Sequence, residues 1–270
     1  MMLEPPRVVA ITGADGMLGS RIAKLLADRQ LRLVDRRRGH ELAQSPTYAD
    51  LIRGCDAIVH TAALHPLVAP PGTGPQEYAA ANVAPFAVLL AVARREHVRR
   101  VVLVSSTSVW NGAPPGRPAR FLDEAAPADS DDGYGASKRQ CETLAFASGL
   151  PCVILRLARF ARRDDVEDQV RLLYRAVDPD DAAAAVVAAL DRASPGALYA
   201  VSAPTPFRPE DAPALASDPR AVIRRRTGRE PPWVPATIAS VVLSDRATRE
   251  LGWSAAFPSP LYPASSLPPG

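Results

Sequence analysis

Lysine is almost absent from this chain. Of its 32 basic residues only Lys24 and Lys138 are lysines; the others are arginines. Such a bias reflects genome base composition, and it makes the place of each lysine informative. Cysteine is scarce as well. Cys55, Cys141 and Cys152 form no close pair and no metal-ligand spacing, and their number is odd. That excludes a disulfide framework and a metal site, and points to a reducing, cytoplasmic compartment. No basic block is interleaved with aromatics and the net charge is only +3, so nucleic acid is not an expected partner. Arg224, Arg225 and Arg226 read as a solvated edge. The longest apolar runs, such as 182–190, are too short for a bilayer. Residues 1–7 hold Glu4 and two prolines, unlike a signal peptide. What is present is 47% hydrophobic residues in 270, enough for a sizeable core.

Apolar, β-branched stretches at 8–12, 31–34, 57–60, 101–104, 152–155 and 197–201 read as strands. Between them, 18–28, 76–95, 134–148 and 181–192 read as helices. The alternation predicts an α/β, Rossmann-like doubly wound parallel sheet, whose strands are apolar throughout because both faces are covered. Residues 1–156 form the expected dinucleotide-type domain with the chemistry. Residues 157–270 form a reduced, loop-rich substrate lobe, some of whose elements return to the sheet. Prolines crowd this second half, and the tail 258–270 is expected to be loosely attached.

Thr12-Gly13-Ala14-Asp15-Gly16-Met17-Leu18-Gly19 closes a strand and opens a helix. Gly13 suits the tight turn, Gly16 a close approach of backbone to a pyrophosphate, and Gly19 close packing of helix on strand. Met17 and Leu18 start a helix whose free N–H groups face the phosphates. Asp35 ends the next strand, where a carboxylate can accept from ribose hydroxyls and repel a 2′-phosphate. NAD is therefore expected rather than NADP, although Arg36, Arg37 and Arg38 follow at once. Tyr134 and Lys138 stand four residues apart, on one helical face. A free phenol has a pKa of about 10, and an ammonium one turn away favours the phenolate. The pair can exchange a proton with an alcohol or carbonyl. Ser105, Ser106, Thr107 and Ser108 end a strand, where hydroxyls can reach a reacting oxygen.

In this fixed order the motifs resemble the NAD-dependent epimerase/dehydratase family, the extended short-chain dehydrogenases. The resemblance runs from Val8 to about Trp253 and includes the segments 54–63 and 177–183 and Glu250-Leu251-Gly252-Trp253. It implies that Ser106, Tyr134 and Lys138 are catalytic, and that Lys138 also holds the nicotinamide ribose. It implies that Thr61, Ala62 and Ala63, with Asp56, line the adenosine and pyrophosphate side, and that Asn82 sits near the cofactor. It also implies a homodimer built from the helix after Asn82 and the helix of Tyr134, through Phe86, Val88, Leu89, Leu90, Val92, Leu144 and Phe146.

The chain departs from the family in several places. Trp110-Asn111 stands where Tyr-Gly is usual. The interval from Asp35 to Asp56 is too short for the usual third strand, and Glu41-Leu42 is the nearest substitute for its adenine contact. Only 21 residues separate Arg156 from Asp178, so the walls of a nucleoside-diphosphate pocket are largely missing. The expectation is an oxidoreductase acting on a hydroxyl or carbonyl of a small molecule, such as a sugar or sugar acid. The alternatives are a sugar-nucleotide epimerase or dehydratase with tightly bound NAD, and a non-catalytic NAD(P)-binding regulator. Arg159, Arg162, Arg163 and Arg171 offer a clamp for a substrate carboxylate, and His65 a side chain facing the pocket.

Overall fold

The computed structural model describes residues 4–40, 45–112 and 117–263. The first half runs β1 (Val8–Thr12), α1 (Met17–Leu25), β2 (Gln30–Val34), α2 (Ser45–Ile52) and β3 (Ala57–His60). Then come α3 (Pro75–Tyr78), a π turn (Ala79–Val83), α4 (Ala84–Arg95), β4 (Arg100–Ser106), β5 (Arg120–Leu122), α5 (Gly133–Ala147) and β6 (Cys152–Leu157). The second half adds β7 (Arg159–Phe160), α6 (Val166–Arg171), β8 (Ala176–Val177), α7 (Pro179–Arg192) and β9 (Leu198–Val201). It closes with α8 (Ala212–Ser217), α9 (Pro219–Thr227), β10 (Ser240–Val242) and α10 (Asp245–Leu251).

Six strands form one parallel sheet in the order β2-β1-β3-β4-β6-β9. Val9 and Ile11 face a core with α1, α7 and α10; Ala10, Ile58, Leu103 and Ile154 face a second core with α2, α4 and α5. This double burial is why the strands carry no polar alternation. Among the described residues β2 is the sheet edge, as the short interval before Asp56 implied. Glu41-Leu42 lies outside the described residues.

Residues after 157 are divided between the two layers. α7 packs on α1 and β9 joins the main sheet beside β6. α10 rejoins α7 and β9, and most of the remainder forms a small lobe around the parallel pair β5–β10, with Val170, Leu173, Phe207, Leu215, Val222 and Ile223 in its core. As far as residue 263, the end of the described residues, the chain after Trp253 is anchored on the fold. The Ala256 and Phe257 amides donate to the Asp181 carboxylate, Ser259 Oγ donates to the Gln169 carbonyl, and Leu261 and Tyr262 pack on the lobe.

Pro75–Arg95 is one continuous helical stretch, long and apolar enough by composition to cross a membrane, which the reading of apolar runs overlooked. Its Phe86, Leu89, Leu90 and Val92 are spent on the sheet core. These four cannot form a dimer face, contrary to expectation. The outward face of α4 instead shows Ala84, Ala87, half-buried Val88 and Ala91, and α5 shows Phe146, half of it exposed.

Candidate functional site

The glycine motif is shaped by close backbone approach. Gly13 has φ +71°, and a Cβ there would lie 2.8 Å from the Ala62 nitrogen. A Cβ at Gly19 would lie 2.1 Å from the Gly13 carbonyl oxygen. The turn between β1 and α1 is thus folded against the end of β3, where the Thr61 hydroxyl donates to the Thr12 carbonyl at 2.7 Å. Gly16, Met17 and Leu18 open α1, so its unsatisfied N–H groups face the crevice at the carboxyl ends of the strands. Asp35 ends β2 on the same side. Its carboxylate accepts from the Arg37 amide at 3.0 Å and the Asp15 amide at 3.1 Å, joining the two loops. Arg38 is held by Asp15, whereas Arg36 stays exposed.

Asp56 does not belong to this crevice. It accepts from the Arg7 and Val8 amides and from Arg99, at the amino end of β3 and so at the opposite end of the strands from the crevice. Its expected place beside the cofactor is incorrect.

The second half of the site comes from β4 and α5. Ser106 closes β4; its hydroxyl accepts from the Ser108 amide at 3.1 Å and donates to Ser108 Oγ at 3.1 Å. Tyr134 and Lys138 lie on the inner face of α5, 7% and 2% exposed. Asp132 caps that helix at the Gly135 amide. Gly135 is required: a Cβ there would stand 2.3 Å from Ser130 Oγ and 2.5 Å from the Ser108 carbonyl. α5 is therefore pressed onto the loop after β4, which brings phenol and hydroxyl together. His65 and Tyr78 flank the phenol edge-on, with ring centroids 5.0 and 5.9 Å away.

Asn82 sits in the π turn, an irregularity often found at functional sites. Its amide accepts from the Leu64 N–H at 2.7 Å and donates to the Leu64 carbonyl and to Ser137 Oγ. It thereby fastens the loop after β3 to α5 and joins both halves of the site.

Burial governs the site's protonation. It pushes the Tyr134 phenol above its ordinary value, with the Ser106 hydrogen bond the chief opposing influence. Loss of water is the largest influence on the phenol. Burial also pulls Lys138 below its ordinary value, opposed by Cys141 and Glu142.

The proposed carboxylate clamp is largely neutralised within the chain. Arg163 is held by Asp178 and Asp180, Arg171 by Glu167 and Asp168, and Arg162 by Asp165, while Arg159 reaches Asp168 at 3.5 Å. The reading missed Arg175, which among the described residues bonds only neutral oxygens: the Thr107 carbonyl and hydroxyl, Asn111 Oδ1 and Ser240 Oγ. Its signal was slight, one arginine among many. A cavity of about 490 Å³ lined by Pro206, Arg208, Arg226, Arg229 and Tyr262 lies on the small lobe and contains none of these residues.

The profile of the NAD dependent epimerase/dehydratase family matches residues 9–161, more than half of the chain. The chain belongs to this family. A search of curated proteins finds no match. Among solved structures, the chain is similar to a short-chain dehydrogenase/reductase superfamily protein from Agrobacterium tumefaciens with bound NAD, at 21% identity and TM-score 0.67, covering 92% of each chain. It is similar to a mutated uronate dehydrogenase at 20% identity and TM-score 0.65, over 95% of this chain and 84% of that one. It also resembles RMD from Pseudomonas aeruginosa complexed with NADPH, at 16% identity and TM-score 0.66, over 92% and 94%. At these identities the likeness establishes the Rossmann-like fold, and the bound cofactors differ among the relatives.

Proposed function

We propose that this protein is an NAD-dependent oxidoreductase acting on a hydroxyl or carbonyl of a small, acidic substrate such as a sugar acid. The observation that carries the reading is the convergence of Ser106, Tyr134 and Lys138 on the crevice that the glycine turn and Asp35 also face. The residues present fit a dinucleotide. The glycine turn leaves a cradle that side chains would fill, α1 presents free N–H groups, and Lys138 donates no hydrogen bond among the described residues. When bound, the nicotinamide supplies the hydride acceptor or donor. Gly13, Gly16, Gly19, Met17 and Leu18 would hold the pyrophosphate, Asp35 the adenosine ribose, and Lys138 the nicotinamide ribose. Thr61, Ala62, Ala63 and Asn82 would form the floor between them.

Tyr134 exchanges the proton of the reacting oxygen. A phenol kept protonated by burial is a ready donor to a carbonyl; as a base toward an alcohol it needs the charge of Lys138 nearby. The Ser106 hydroxyl holds the same substrate oxygen. Arg175 supports the acidic substrate, being a cation beside the loop after Ser106 that pairs with no carboxylate among the described residues. The brief path from Arg156 to Asp178, through β7, α6 and β8 only, leaves little wall for a nucleoside diphosphate. The test is a screen of alcohols, sugar acids and ketones with free NAD(H), followed by nicotinamide absorbance. Turnover of free NAD with a sugar acid supports the reading. NAD that survives purification and never turns over would instead favour an epimerase.

A further inference from the structure

The cavity of about 490 Å³ on the small lobe is walled by three segments that lie far apart in sequence. Arg208 comes from the chain between β9 and α8, Arg226 and Arg229 from the end of α9 and the turn after it, and Leu261 and Tyr262 from the closing stretch. Among the described residues no carboxylate lines it.

The charges around the cavity are unevenly matched. Asp211, whose side chain is 1% exposed, accepts from Arg226 Nε at 2.8 Å and Nη2 at 3.0 Å, and from Arg225 Nη2 at 2.7 Å. Glu210 takes a further bond from Arg226, and Glu230 pairs with Arg224. Three carboxylates are thus spent on the three arginines in the last turn of α9, whose carbonyl end also favours cations. Arg208 and Arg229 stay outside this balance. Both are exposed, and neither side chain has an ion pair or hydrogen bond among the described residues. Arg226 is held from behind by Asp211, and its Nη1 takes part in none of these bonds. Arg229 is placed by a fixed turn: Gly228 has φ +67°, and Thr227 Oγ1 donates to the Ile223 carbonyl and accepts from the Arg229 amide. Leu261 and Tyr262 pack on the lobe core and give the cavity an apolar wall. Guanidinium forks match the oxygens of phosphate, and cavities of about 300–1,000 Å³ suit small ligands. We propose that this cavity is a second binding site, for a small organic phosphate. Its phosphate group is taken by Arg208, Arg226 and Arg229, and its carbon body lies against Leu261 and Tyr262. The site shares no lining residue with the crevice of Tyr134, and the inference does not depend on the oxidoreductase reading.

Phenyl phosphate serves as the probe, and the tyrosines report where it goes. The chain has 6 tyrosines, of which Tyr262 belongs to the cavity and Tyr134 to the crevice. With tyrosine rings carbon-13-labelled, and Tyr262 assigned through Tyr262→Phe, phenyl phosphate should move the Tyr262 NMR signal saturably. Benzyl alcohol, which keeps the ring and lacks the charge, should not. Arg208→Ala and Arg229→Ala should each weaken binding by on the order of tenfold, the size expected for one hydrogen bond to a charged group. Added salt should weaken it as well. Both arginines are exposed and unpaired among the described residues, so these variants should keep the wild-type Tm. A Tyr262 signal that stays still at millimolar phenyl phosphate overturns the inference. So does an equal response to benzyl alcohol, movement at Tyr134 alone, or an undiminished response when Arg208→Ala and Arg229→Ala are combined.

Discussion

A methyl group added at Gly19 would meet backbone on two sides, the Gly13 carbonyl oxygen at 2.1 Å and Ala14 Cα at 2.8 Å. Neither atom belongs to a flexible side chain. Relief requires α1 to move on the order of 1 Å away from the turn, to restore ordinary contact. Overpacking of this kind costs about 1–3 kcal/mol, or roughly 2–10 °C in Tm for a chain of this size. The same movement withdraws the first N–H groups of α1 from the phosphates. At Gly16 the added carbon meets only the Gly13 oxygen, at 3.1 Å, so a shift of a few tenths of an ångström suffices. Gly16→Ala should therefore leave Tm within about 2 °C while placing a methyl where the pyrophosphate approaches. Both variants should weaken NAD at least about tenfold, equivalent to ~1.4 kcal/mol. Scanning calorimetry reads the first quantity and titration calorimetry with NAD the second. Wild-type NAD affinity in Gly16→Ala would show that the dinucleotide lies elsewhere, and an unchanged Tm in Gly19→Ala would refute the packing argument.

Once a substrate is found, Tyr134→Phe should keep NAD affinity and lose about 10²–10⁴-fold in turnover; Lys138→Arg should also be damaging, and Ser106→Ala less so. Near-full turnover in Tyr134→Phe would mean the proton travels through another group. NAD(H) should bind at least several-fold tighter than NADP(H), because Asp35 is fixed at the end of β2; equal affinities by calorimetry would assign control to Arg36, Arg37 and Arg38. Burial holds His60 down to about 3, whereas the unfolded side chain titrates near its ordinary value of about 6.5. The unfolded state thus takes up a proton that the folded state refuses. Stability should fall by up to ~1.4 kcal/mol per pH unit as pH drops below about 6.5, and His60→Gln should flatten that slope in urea titrations at pH 5 and 7. A dimer through the small-residue face of α4 and Phe146 of α5 should show in light scattering and dissociate in Phe146→Asp; a wild-type monomer at micromolar concentration would end the idea.

The main sheet was legible because each strand is apolar on both faces, and the glycine turn because its spacing is dictated by backbone contact. Tyr134 and Lys138 were legible because helical spacing alone puts them on one face. What escaped the reading depends on partners distant in sequence. Asp56 looked like a crevice residue by its neighbours, yet its carboxylate is claimed by Arg7, Val8 and Arg99 at the other end of the strands. The four arginines after Arg156 looked free until their carboxylates folded next to them. Phe86 and Leu89 belong to an apolar helix whose buried side periodicity did not define. The π turn at Asn82 has no composition signal of its own, and the two-residue strands β7 and β8 are too short for any period to appear.

The position of β2 at the margin of the sheet bears on how long a dinucleotide would stay. With no further strand beyond it among the described residues, the sheet itself offers the adenine end of a bound dinucleotide no wall beyond Asp35. Grip then concentrates on the pyrophosphate turn and on Lys138, and less apolar surface is covered at the far end. Differences in affinity among related complexes reside mostly in dissociation rate. Under the proposed oxidoreductase reading, a shallow adenine end would shorten residence, and the nucleotide would come and go as a co-substrate, drawing its redox state from the surrounding pool.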